Sequence, residues 1–222
     1  MQVKTTASRV TIGKQELDLP GEYLDFLDDS THLLDDADAL RAAMEEKGYL
    51  LLRGVLDRDL VLEARRQMLE VLAEEGALDP NAPLMDAVCK DDKGGFRGGS
   101  NRLTEAPAFV ELVQSGNLIK FFEKFLGGEV RPFDYRWLRV VPPGGTSPAH
   151  YDVVYMGRGT LNLYTTWAPL GNVTMEMGPL AILEGSHRWE RVKETYGRMD
   201  VDRDNFAGSF STDPVELVDK HG

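Results

Sequence analysis

Apolar residues recur at helical spacing through the first part of the chain and at strand-like spacing through the last part. Across residues 57–76, DRDLVLEARRQMLEVLAEEG puts Leu60, Ala64, Met68, Val71 and Leu72 on one face, and Gly76 ends the run. The stretch 35–48, DDADALRAAMEEKG, predicts a shorter helix. Acids in its first turn meet the positive end of the helix dipole, and Gly48 is its stop. Residues 106–128, APAFVELVQSGNLIKFFEKFLGG, predict a helix broken near Ser115–Gly116 and ended by Gly127–Gly128. Two early runs have another rhythm. RVTIGKQELDL (9–19) alternates as an edge strand or hairpin, and YLLLRGVL (49–56) is a short apolar strand.

After residue 128 the pattern changes. VRPFDYRWLRVVPPGG (130–145), YDVVYMG (151–157), TLNLYTTWAPLG (160–171) and GPLAILEGSH (178–187) are β-type runs split by Pro and Gly turns. Helices first and strands afterwards predict an α+β domain with helices packed on a sheet or barrel. Residues 77–106 carry no period and include KGGFRGGSNR (93–102). Its glycines suit a lid over a ligand better than a phosphate cradle, which needs a strand before it and a helix after it.

The chain of 222 residues allows one large domain or two small ones. A net charge of −12 opposes binding to nucleic acid or anionic membranes, though it leaves room for a local basic pocket. With Cys89 alone, an internal disulfide and a Cys-rich zinc site are both excluded. The opening residues lack the apolar core of a signal peptide, and no run is long enough to span a membrane. The default expectation is a soluble cytoplasmic protein; its oligomeric state is unreadable.

Candidate chemistry centres on TSPAHYDVVYMG (146–157). On an extended strand, His150 and Asp152 at i and i+2 point to one face, where both reach a single metal ion. As ordinary strand residues they would only hydrogen-bond. The pair fits two-thirds of a 2-His-1-carboxylate triad, which holds Fe(II) by one face and leaves open positions. Downstream lie LYTTWAPLG and MGPLAILEGSHRW. The order H-x-D, W-x-P-L, G-P-L-x-x-x-x-G-S-H resembles the phytanoyl-CoA dioxygenase family of Fe(II)/2-oxoglutarate oxygenases. EEKGYLLLRGVLDRDLVLEARRQML is similar to that family's opening helix–strand–helix, so the resemblance spans roughly residues 35–190.

The resemblance implies a double-stranded β-helix, a cupin-like jelly roll with the N-terminal helices packed outside. It also implies Fe(II) and 2-oxoglutarate as cofactor and co-substrate. Oxygen from O2 enters a C–H bond of a small organic substrate, releasing succinate and CO2. His150 and Asp152 would be the first two iron ligands, and a carboxylate at 152 favours hydroxylation over halogenation. Trp167 matches a family tryptophan near the co-substrate, with a core aromatic as its plainer role. Arg139, on the strand before the metal turn, would bind a carboxylate if it faces inward and is a solvated charge if outward. Tyr155 and Thr165 are pocket-lining candidates, with Tyr135 and Arg97 behind them. The loop 93–102 and the segment 188–215 are candidates for substrate contact.

The family's third ligand is a His on a late strand, followed by an Arg that pairs with 2-oxoglutarate. The histidines here are His32, His150, His187 and His221. His187 falls in the G-S-H turn, where closing a turn or contacting a loop is its expected work; His32 and His221 lie outside any strand pattern. The chain therefore reads as an incomplete dioxygenase domain, poorly stable and inactive alone. Residues 1–128 would be its mainly helical part and 129–222 the first part of the β-helix core, with the last strands missing. Two other readings stay open: a non-catalytic cupin-like binding module, and a zinc hydrolase using His150, Asp152 and either His187 or His221.

Overall fold

The computed structural model describes residues 8–90, 101–114, 116–141 and 144–222. The chain opens on an antiparallel hairpin of β1 (Ser8–Ile12) and β2 (Gln15–Leu19), with Ile12 opposite Gln15 and Ser8 opposite Leu19. Gly13 takes a φ of 61°, which a two-residue hairpin turn needs at its first position. The Gln15 amide donates to the Asp213 carboxylate at 2.7 Å and ties the hairpin to the chain's far end.

The predicted helices form where their end signals stand. At α1 (Ala37–Lys47), the Asp36 carboxylate accepts from the amides of Asp38 and Ala39, and Gly48 ends the helix at φ 81°. At α2 (Arg58–Glu74), Asp57 accepts from the Leu60 amide. Each such cap contributes about 1 kcal/mol. On the predicted face of α2, Ala64, Met68 and Leu72 are buried, while Leu60 and Val71 are partly so.

A short helix that the pattern did not predict, α3 (Asn101–Thr104), is followed by α4 (Pro107–Gln114) and α5 (Gly116–Leu126). The break between α4 and α5 lies where glycine allows a φ of 63°, at Gly116. The main core packs α2 against α3 and α4 through Leu69, Leu72, Leu103, Phe109 and Leu112, and Leu138 closes it from beyond α5. A second, smaller cluster of Val154, Val192 and Tyr196 joins α6 (Val153–Met156) to α7 (Glu190–Glu194). Helix α8 (Pro214–His221) ends the chain.

The strand expectations after the hairpin are corrected. YLLLRGVL makes one isolated parallel bridge, Leu51 to Asp29, and no strand. Residues 130–145, 160–171 and 178–187 contain no strand among the described residues, and 151–157 turns into α6. The hairpin is the only sheet among the described residues, so the jelly roll read from the family resemblance is not displayed there. A β-type run becomes a strand only when another segment takes up its N–H and C=O groups. Ala149 finds such a partner in Ser211, as a single bridge. Apolar side chains in these runs stand in solvent, Leu161 at 82% exposure and Leu180 at 46%.

The glycine-rich stretch 93–102, with Arg97, lies outside the described residues apart from Asn101 and Arg102, which begin α3. No helix among the described residues is long and apolar enough to cross a membrane.

Candidate metal centre

His150 and Asp152 converge, though not by strand alternation. Asp152 takes helical angles (φ −62°, ψ −26°) as the chain enters α6, and this turn swings its carboxylate back toward the imidazole. His150 Nε2 lies 3.3 Å from Asp152 Oδ1. His150 Nδ1 lies 2.8 Å from the carbonyl oxygen of Pro148, so Nδ1 carries a proton and donates it. Nε2 is then the nitrogen that faces the carboxylate.

Two acceptors facing each other at that distance repel unless a cation stands between them. In the metal-free protein a proton on Nε2 would fill that role. The hydrogen bond to Asp152 raises the His150 pKa above its ordinary value, burial opposes it, and the bond to Pro148 adds to the rise. For Asp152, burial alone pushes the pKa up. Hydrogen bonds from His150 and Thr165, with the charges of His150 and Arg139, outweigh burial and hold the carboxyl below its usual value. One imidazole nitrogen and one carboxylate oxygen, with the far nitrogen anchored on a carbonyl, are two donors of the kind that divalent metal sites use.

Around the pair stand three of the other predicted residues. The Thr165 side chain acts on the Asp152 carboxyl and lowers its pKa. Tyr155 meets the His150 ring edge-on, with centroids 5.5 Å apart, and meets Trp137 at 5.3 Å. The Arg139 guanidinium lies 3.9 Å above the Trp137 ring, and its charge reaches both His150 and Asp152. Among the described residues Arg139 forms no salt bridge. Trp167, 52% exposed, makes no ring contact among the described residues, so its reading as a buried core aromatic is corrected. Tyr135 is exposed in the segment that leads to Trp137.

The remaining histidines are engaged elsewhere. His187 donates Nε2–H to the Glu45 carbonyl at 2.8 Å, His221 packs near Trp189 and Phe210, and His32 meets the Asp29 carbonyl. No group of three His, Cys, Asp or Glu able to hold a metal assembles among the described residues. The zinc site built from His150, Asp152 and His187 or His221 is thus not formed among them.

Sequence reasoning missed Trp137, Pro148 and Tyr196. Trp137 carried a usable signal, since it stands two residues before Arg139 in an extended segment. Pro148 and Tyr196 act through a main-chain carbonyl and a contact 45 residues away, and neither leaves a local pattern.

A family model for phytanoyl-CoA dioxygenase (PhyH) matches residues 44–218. The 1-deoxypentalenic acid 11-beta-hydroxylase of Streptomyces exfoliatus is 34% identical over 168 residues, which cover 72% of this chain and 58% of that protein. The enzyme of the same name from Streptomyces arenae is 32% identical over 167 residues, with the same coverage. The chain thus matches 58% of the length of each relative.

Proposed function

The chain belongs to the phytanoyl-CoA dioxygenase family, and from that premise we propose that the whole protein is a non-haem Fe(II)/2-oxoglutarate-dependent hydroxylase of a small organic acid. The observation that carries this reading is the His150–Asp152 pair, two facing acceptors whose gap calls for a cation. His150 Nε2 and Asp152 Oδ1 would hold the iron, and the third ligand and distal arginine of the family are assigned to no described residue. When bound, the iron with 2-oxoglutarate and O2 supplies the oxidising power for C–H hydroxylation, with succinate and CO2 as co-products.

The chain's own residues bind and orient. Pro148 fixes the His150 tautomer through its carbonyl. Thr165 favours the ionised form of Asp152. Arg139, held over the Trp137 ring, offers its fork of N–H donors to a carboxylate of co-substrate or substrate. Tyr155 walls the imidazole on one side, and Trp167 contributes an aromatic face near the co-substrate. An acid as substrate class draws on the relatives, whose named substrate is 1-deoxypentalenic acid. The family's jelly roll is the architecture proposed for the whole protein.

The test uses protein purified from its native source, mapped by peptide mass to its true C-terminus. It is supplied with Fe(II), 2-oxoglutarate, O2 and a panel of small carboxylic acids. Succinate formation that His150→Ala and Asp152→Ala each abolish is the expected result. Turnover that needs no 2-oxoglutarate, or that survives both substitutions, would overturn the proposal. Arg139→Met should raise KM for a carboxylate ligand more than it lowers kcat.

A further inference from the structure

The residue between the two metal-site side chains is held from behind. Tyr151 points its side chain away from the site, and its hydroxyl donates to the Ser186 carbonyl at 2.6 Å. Its main-chain N–H donates to the Tyr196 hydroxyl oxygen at 3.3 Å. That hydroxyl donates its own hydrogen bond to the carbonyl of Gly208. Tyr196 is buried among Val154, Val192, Phe206 and Phe210, with its ring 4.8 Å from Phe210 and 5.7 Å from Tyr151. Burial pushes its phenol up to about 12, so it stays a neutral donor across the working pH range.

Resting on the reading of His150 and Asp152 as metal ligands, we infer that Tyr196 is a positioning residue that sets their spacing, by tying the peptide between them to Gly208. In a β-ladder, neighbouring strands fix such a peptide. Here main-chain pairing stops at Ala149, which exchanges hydrogen bonds with Ser211 and Phe210. One residue past His150, the Tyr151 amide has a side-chain hydroxyl as its partner. Rotation of the peptide that carries this N–H moves the imidazole on one side and the carboxylate on the other. The hydroxyl therefore restrains both ligands through one bond. Phenylalanine fills the same space in the cluster but leaves the Tyr151 N–H and the Gly208 C=O without this partner.

The test compares the wild-type chain with Tyr196→Phe and, as control, Tyr23→Phe, whose exposed hydroxyl meets Asp219. Amide hydrogen exchange is followed residue by residue in metal-free protein, and Fe(II) affinity is measured separately by calorimetry under anoxia. The Tyr151 amide of the wild type should be protected. In Tyr196→Phe its exchange should accelerate about tenfold, from the loss of one hydrogen bond, while Leu69 and Leu112 in the main core keep their rates. Fe(II) affinity should weaken about 10- to 100-fold, as for other partners that orient a ligand, and Tyr23→Phe should alter neither quantity.

An unprotected Tyr151 amide in the wild type overturns the inference without any variant. So does a change under about twofold in Tyr196→Phe, or acceleration spread equally to Leu69 and Leu112, or failure of Tyr196→Phe to fold. Each of the last two reduces the hydroxyl to a general structural role. Wild-type protein that binds no Fe(II) through His150 and Asp152 defeats the proposed hydroxylase instead, while the metal-free exchange rates still report on Tyr196.

Discussion

The imidazole of His187 reaches across 142 residues of sequence to donate Nε2–H to the Glu45 carbonyl, in the last turn of α1. The Gly185 amide takes the carbonyl of Lys47 beside it, at 3.1 Å. The G-S-H turn thus serves as the C-terminal cap of a helix that begins at residue 37, satisfying carbonyls the helix leaves open. The same contact explains why residue 48 has no side chain. A Cβ on Gly48 would run into the His187 ring, and its φ of 81° is already costly for any other residue.

Two substitutions test this joint. His187→Ala should destabilise the protein by about 1 kcal/mol, the net worth of one hydrogen bond. Gly48→Ala should cost about 2 kcal/mol or more, because backbone strain of about 1–2 kcal/mol adds to displacement of the cap. In urea unfolding, the double variant should lose less than the sum of the two. Additive losses would mean that the ring and the glycine do not bear on each other.

The His150–Asp152 pair makes a prediction about protons. In the wild type, the imidazole should titrate above its ordinary 6.5, chiefly because of the carboxylate beside it. Asp152→Asn removes that cause and leaves burial and Arg139, which lower the pKa, against the Pro148 bond, which raises it, so the pKa should fall. Because the folded pKa is the raised one, the pair's contribution to stability is complete below pH 6.5 and is lost as pH rises through the folded value. NMR titration of the ring in metal-free protein reads both values. Added Fe(II) should displace the proton, so affinity should drop as pH is lowered.

The helices were legible because their signals are local. Asp36, Gly48, Asp57 and the α2 face each act within one or two turns of the residues they organise. The same holds for His150 and Asp152, which lie within three residues, although a turn rather than a strand brings them together. The β-type runs were not legible in this way. Whether a run such as 160–171 becomes a strand depends on a partner elsewhere, and its own alternation cannot name one. Tyr196 is the same problem in one residue, since its hydroxyl matters only through Tyr151, 45 positions earlier.

Arg158, just past the turn that carries His150 and Asp152, grips Asp200 with two hydrogen bonds of 2.5 and 2.6 Å and also contacts Asp202. The Arg158 hydrogen bonds, with main-chain donors from Arg203 and Asp202, hold the Asp200 carboxyl well below the usual carboxylate range. A depressed carboxyl stabilises above its ordinary 3.8 and loses that contribution as pH falls through the folded value. Arg158→Met should therefore be less stable than wild type at neutral pH, and the two unfolding curves should converge in acid. A gap that stays constant down to the acid transition would assign the loss to packing rather than to the ion pair.

Thr165 gives the sharpest test of how the carboxylate is held. Its side chain is one of two, with His150, that lower the Asp152 pKa against burial. Thr165→Val removes the donor and puts a methyl in its place. Burial is then opposed mainly by His150, and the Asp152 pKa should rise. Thr165→Ser restores a hydroxyl and should restore the low value. Fe(II) affinity should follow the same order, falling about tenfold in the valine variant and recovering with serine. Thermal unfolding separates this from a packing effect. If the serine variant binds as weakly as the valine variant, the methyl group rather than the hydroxyl is what orients Asp152.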